Sequence, residues 1–354
     1  MPTLAEAKAR LDSIIDKARV DLYKPIQIAE VLHQSRLNPN SLDINNKLTY
    51  QNVSLKWRDI VTQELLGKIC TSSARFQHDL WNETAMPPDY LQILDQENRQ
   101  HLGIVEAYIY TRFQQRQGTV TTIIDYLNNV QPNLFSLSSL LAMFIKESGI
   151  RRSIDKAYEI ITYALFETII SSLETQITIQ IPHHKQTLLD NFSDITQVLI
   201  GLSSTEQTRT EMAHIYRVGV TNAADRGLDM WANFGIAIQV KHLTLDATLA
   251  KEIVNQVESD HIVIVCRNND AEVIRIITQQ IGWGQRVRGI VTESQLIEWY
   301  TRCFSEQFIE ELGIPLLTQL RDGFLAEFPQ TNSIIGFLNQ RQYPNLDHYP
   351  LWHT

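Results

Sequence analysis

The sequence predicts an α/β chain, with a largely helical first part and then a mixed β-sheet core flanked by helices. Three observations predict it. Apolar residues recur with a helical period through about residue 146, the mark of amphipathic helices. Strand-like runs bounded by turn residues appear only from residue 174 onward. Between the later strands lie helix-period segments, an order that places helices against a sheet.

Taken in order, residues 4–18 put Leu4, Ala7, Leu11, Ile14, Ile15 and Ala18 on one face. Pro25 is expected at the first position of a helix over 25–36, where its missing N–H costs nothing. Ser54 is expected to cap residues 54–69, whose apolar face carries Leu55, Ile60, Val61, Leu65 and Ile69. Helical text continues to about Lys146, interrupted at Pro87-Pro88, Gly103, Gly118 and Pro132. Residues 151–173 read as one long helix, and 175–181 alternate as a strand ending at Pro182. Three strand-like runs follow at 214–220, 228–233 and 236–242. The short turn around Asn233-Phe234-Gly235 pairs the last two as a hairpin. Asp246 caps a helix to 259; then come a strand at 261–266, a helix at 271–281, a strand at 287–291 and a helix at 293–304. Helix returns beyond 305 and the extreme end reads as irregular. The organisation is therefore a helical region over 1–147, an α/β core over 148–305 and a helical extension over 306–354.

Composition narrows the function. Apolar residues make up 44% of 354, enough for a sizeable core. The 14 glycines are too few for Gly-rich nucleotide cradles or collagen-like repeats. Cys70, Cys266 and Cys303 lie far apart, which argues against a disulfide framework or a Cys-rich zinc site and suits a reducing cytoplasm. The N-terminus lacks a signal-peptide pattern and no apolar run reaches 18 residues, so a cytoplasmic location is expected. The net charge of −9 disfavours a non-specific electrostatic DNA coat, but allows positive charge gathered in one cleft.

The informative stretch runs from Asp225 to Leu243. Asp229 begins one hairpin strand, and Gln239 and Lys241 sit two apart on the other, so they project from one face. A carboxylate, an amide oxygen and an ammonium thus converge. Mg²⁺ prefers oxygen ligands, and Asp229, the Gln239 side chain and the Val240 carbonyl can supply them. Lys241 can orient the attacking water and offset charge on a phosphoryl transition state. On spacing alone an ordinary polar strand face is the readier reading, and Trp231 and Phe234 read as core or hairpin packing rather than base stacking.

The Asp-x9-Gln-x-Lys spacing resembles the PD-(D/E)xK nuclease signature in its Gln variant. The runs YKPIQIAEVL, KWRDIVTQELLGK, TSSARFQHDLW, GIRRSIDKAYEI and RVGVTNAADRGLDMWANFG are similar to type II restriction endonucleases of the HaeII and HgiDI kind. The resemblance covers about residues 4–330. It implies a restriction-endonuclease-like mixed sheet core, and a homodimer making Mg²⁺-dependent cuts in both strands of a short palindrome to protect the cell from foreign DNA. It further implies a CG-centred six-base site, GRCGYC ahead of RGCGCY, and a cognate DNA methyltransferase as functional partner. Carried over, Asp229 is the metal-binding aspartate, Gln239 the second ligand and Lys241 the catalytic lysine. A Glu from the preceding helix completes the metal shell, Glu159 first and Glu167 as fallback. Gln239 departs from the acidic ligand, and Leu228 stands where the motif has Pro.

DNA contacts are expected from Ser72, Ser73 and Arg75 at a helix start, from Arg151 and Arg152, and from Arg226, since hydroxyls, backbone N–H groups and Arg hold phosphate. The segment QIAEVLHQSR is similar to a helix of a winged-helix unit and is a candidate reader of bases. Plain helical packing with a polar outer face remains the alternative. Two other readings of the whole chain stay open: a repair or recombination nuclease of the same fold, and a non-catalytic DNA-binding regulator.

Overall fold

A computed structural model describes residues 2–39, 42–70, 78–146, 153–218, 228–257, 259–269, 273, 286–328 and 334–353. The chain divides into two compact units. The first comprises residues 1–130, 137–157 and 321–354, the second residues 131–136 and 158–320.

The first unit is helical, as the periodicity predicts. Its helices are α1 (Leu4–Lys17), α2 (Tyr23–Leu37), α3 (Val53–Leu66), α4 (Pro88–Gln100), α5 (Ile104–Asn129) and α6 (Leu137–Lys146). A capping box between Thr3 and Glu6 starts α1. Two expected starts shift. Helix α2 begins at Tyr23, so Pro25 sits inside the first turn, where no intrahelical N–H is needed. Ser54 does not cap α3; Asn52 precedes that helix, and buried Ser54 Oγ accepts from Gln27 Nε2 at 2.9 Å.

Helix α2 is buried nearly all round, the state of a helix at the centre of a bundle. It therefore cannot lay its length against bases, and any DNA-reading face of this unit lies elsewhere. Its polar residues must find partners inside. Glu30 accepts from Tyr110 Oη at 2.7 Å and from Arg341 at 3.2 Å. Glu106 of α5, fully buried, accepts from Arg36 Nε and Nη2 at 2.9 Å each and from Asn98 at 2.8 Å, and meets His33 at 2.9 Å. The C-terminal residues close this unit. Trp352 is buried against Tyr108 and donates to Glu97 at 3.0 Å, so the irregular end is anchored by an aromatic residue.

Burial pushes the Glu106 carboxyl up, but the hydrogen bonds from Arg36, His33 and Asn98 outweigh it and hold the pKa at about 2. A depressed folded pKa means stability present above the unfolded value of 4.5 and lost as pH falls toward 2. Glu106→Gln should flatten the loss of stability across that window. It should also cost about 3–5 kcal/mol at neutral pH, because Arg36 loses its charge partner. Urea midpoints measured against pH check this; parallel curves for the two proteins would contradict it.

The second unit holds both sheets. Helix α7 (Ile154–Ser172) leads into it. Strands β1 (Gln176–Gln180) and β2 (Thr208–Met212) pair antiparallel as a two-stranded sheet, with α8 (Gln186–Asn191) and α9 (Ser193–Ile200) between them. Strand β2 is not among the expected strands, because it is exposed and lacks apolar alternation. The main sheet comprises β3 (Ile215–Arg217), β4 (Met230–Ala232), β5 (Ile236–Leu245), β6 (His261–Asn269) and β7 (Val287–Thr292), in that spatial order. The first three are antiparallel; β5, β6 and β7 run parallel. Helix α10 (Ala247–Gln256), capped by Asp246 as expected, connects β5 to β6. Helix α11 (Glu293–Cys303) follows β7 behind a Thr292 capping box. Helices α12 (Ile314–Glu327) and α13 (Ile334–Arg341) complete the chain. The helix expected at 271–281 lies outside the described residues apart from Val273. Among the described residues no helix is long and apolar enough to cross a membrane.

Candidate active site

The hairpin forms where alternation and turn chemistry place it. Gly235 turns the chain at φ +85°, a conformation that L side chains rarely adopt. Met230 then faces Ile238 and Trp231 faces Ala237. Continuing that register sets Asp229 opposite Gln239. The contacts agree: Gln239 Nε2 donates to Asp229 Oδ2 in a short hydrogen bond, and the Val240 N–H donates to the same oxygen at 2.8 Å. The Asp229 backbone is fixed from the other side, its carbonyl accepting from Val218 N at 2.9 Å.

Among the described residues this grouping sits at an open strand edge. Strand β4 pairs with β5 only at Met230 and Trp231, so from Gln239 onward β5 carries a described strand partner only on its β6 side. A strand residue points its N–H and C=O the same way. The Val240 carbonyl therefore opens toward the edge where its N–H meets Asp229. Gln239 is 2% exposed, and its Oε1 is buried without a hydrogen-bond partner among the described residues. An orphaned buried oxygen costs about 1–3 kcal/mol and here lies beside a carboxylate. Amide oxygen, carboxylate and carbonyl are hard donors that suit Mg²⁺. Among the described residues no three His, Cys, Asp or Glu side chains converge on a metal position, so a site here depends on the Gln and backbone oxygens. Lys241 is half-buried and makes no ion pair or hydrogen bond among the described residues, which leaves its ammonium available at the edge.

The two candidate glutamates part company. Gln239 and Lys241 lie in register with Ile264 and Cys266 of β6, on the face that packs through Ala237 against Ala250 and Ile253 of α10. Helix α7 covers the other face. Its Tyr158 ring lies 4.8 Å from the His242 ring, and its Glu167 accepts from Ile215 N at 2.7 Å. The helix thus runs from the Lys241 end of the sheet toward the turn. Glu167 is also 3.0 Å from His214 Nδ1 and accepts from Ser171, so it is committed to the β3 end. Glu159, 7% exposed, follows Tyr158 at the Asp229–Lys241 end, across the sheet from Gln239. On that same face, nearer the turn, an apolar cavity of about 460 Å³ is lined by Phe166, Ile170, Phe234, Ile238 and Trp299. It has no carboxylate in its lining and is not the site.

Ser72, Ser73, Arg75, Arg151, Arg152 and Arg226, together with Asp225, lie outside the described residues. Trp231, expected in the core or in hairpin packing, is 44% exposed and stacks on Tyr216 of β3.

The HaeII restriction endonuclease family model matches residues 7–343. The chain is 46% identical over 346 residues to the type II restriction enzyme HaeII of Haemophilus aegyptius, covering 97% of this chain and 98% of that one. It is 44% identical over 342 residues to the type II restriction enzyme NgoBI of Neisseria gonorrhoeae, with 97% of each covered. No solved structure matches.

Proposed function

Because the chain belongs to the HaeII family of type II restriction endonucleases, and so is a site-specific deoxyribonuclease of a restriction–modification system, we propose that it cuts both strands of a short palindrome through Asp229, Gln239 and Lys241 with Mg²⁺. The observation that carries this is the buried, unpartnered Gln239 Oε1 beside the Asp229 carboxylate. Asp229, Gln239 Oε1 and the Val240 carbonyl would hold the ion; Glu159, on the helix across the sheet from Gln239, stands outside this set. Bound there, Mg²⁺ supplies Lewis-acid polarisation of the phosphate and a more acidic water. Lys241 orients the attacking water at the open edge of β5 and offsets charge growing on the phosphate oxygens. The Val240 N–H holds Asp229 Oδ2 in place, so the carboxylate is set before substrate arrives.

A two-fold site calls for two centres on opposite strands, so the working form is a homodimer. A methyltransferase that protects the same sequence is the functional partner. The site read is a CG-centred six-base palindrome, GRCGYC first and RGCGCY second. The test is digestion of plasmid DNA of known sequence with Mg²⁺, mapping of fragment ends, and sedimentation on the mapped duplex. Discrete ends at one palindrome and two chains per duplex are expected. Smeared products, or no cutting, would contradict this reading.

A further inference from the structure

Tyr216 of β3 and Trp231 of β4 face each other across the ladder. Their rings stack 4.5 Å apart, 24° from parallel, yet they are 40% and 44% exposed. Two large rings stacked on a sheet and left open to solvent are an apolar surface of the kind that marks a contact site. Their position says what they contact. Residues two apart on a strand share a face and lie about 6.7 Å apart, so Trp231 is the next residue after Asp229 on the Gln239 face. Helix α10 packs on that face over Ala237, Ile262 and Ile264, on β5 and β6. The ring pair on β3 and β4 stays open beside the centre.

We propose that the Tyr216–Trp231 stack is a platform for the DNA substrate, packing on the sugar and base edge of a nucleotide that flanks the phosphate being cut. This rests on the assignment of Asp229 to the cleavage centre. The chemistry fits a chain of net charge −9. Such a chain repels a polyanion at long range, and an aromatic platform adds affinity through stacking and apolar contact rather than through charge. Its contribution is therefore independent of salt, whereas that of an Arg on a phosphate is not.

The experiment measures Kd by fluorescence anisotropy for the duplex carrying the mapped cleavage site, in EDTA, at several salt concentrations. Trp231→Ala and Tyr216→Ala should each weaken binding by about two- to twelvefold, the loss of one aromatic contact worth about 0.5–1.5 kcal/mol. The slope of log Kd against log salt should not change, and Trp231→Phe should restore most of the affinity. Ultraviolet crosslinking of wild-type protein to 5-iododeoxyuridine-substituted duplex should map to Trp231 or Tyr216, a readout that does not depend on any variant folding. Wild-type affinity in the folded Trp231→Ala protein, a changed salt slope, or crosslinks confined to other residues would overturn the platform. Asp229→Asn run alongside separates the two claims. If it still cuts, the centre is misassigned; if it is inactive while Trp231→Ala binds and cuts normally, only the platform fails.

Discussion

Asp229→Ala and Lys241→Ala should each lower DNA cleavage by about a thousandfold or more while the protein stays folded and still binds its site. Losing one group that stabilises charge in a transition state costs about 10²–10³ in rate, and losing a metal ligand removes the Lewis acid as well. The fold should tolerate both changes. Asp229 precedes β4 at the rim of the sheet, where its carboxylate accepts from Gln239 and Val240. Lys241 has no ion-pair or hydrogen-bond partner to lose among the described residues. Cleavage rates on plasmid, with gel shifts in EDTA as the binding control, check this. Either variant cutting within about tenfold of wild type would show that the site lies elsewhere.

Gln239 gives the second large effect, and it splits by substituent. Gln239→Leu should be inactive, because an apolar group can neither take the orphan oxygen's place nor hold Asp229 Oδ2. Gln239→Glu should cut, and at lower Mg²⁺ than wild type, because the site gains a charge. The structure adds a pH term. In wild type Gln239 Nε2 donates to Asp229. A glutamate there would set two carboxyls against each other in a buried place, and without metal one would hold a proton. Mg²⁺ must displace that proton, so the Gln239→Glu enzyme should need higher pH at low Mg²⁺ than at high Mg²⁺. Rates over a grid of pH and Mg²⁺ test this. A fully active Gln239→Leu enzyme would make the residue structural.

The hairpin was legible because two local rules fix it. Alternation sets which residues share a face, and the turn through Gly235 sets the register that brings Asp229 to Gln239. The helical first part, the mixed sheet and the Asp246 cap were legible for the same local reasons. What escaped depends on tertiary context. Nothing in TRTEM announces β2, whose place comes from pairing with β1. Ser54 has the chemistry of a cap but is buried against Gln27. Glu159 ranks ahead of Glu167 only by resemblance, and only the structure shows Glu167 bound to His214 and Ile215. Trp231 suits a core in composition, but it lies on β4 beside the edge strand β3, where no described helix covers it.

A metal held by the oxygens of Asp229, Gln239 and Val240 can be located on the polypeptide without relying on activity. Fe²⁺ replaces Mg²⁺, and ascorbate with peroxide then cuts the polypeptide next to the bound iron. Breaks are expected close to residue 229 and close to residues 239–241, suppressed by excess Mg²⁺ and absent in Asp229→Ala. Breaks confined to other parts of the chain, or an unchanged pattern in Asp229→Ala, would contradict this assignment of the metal.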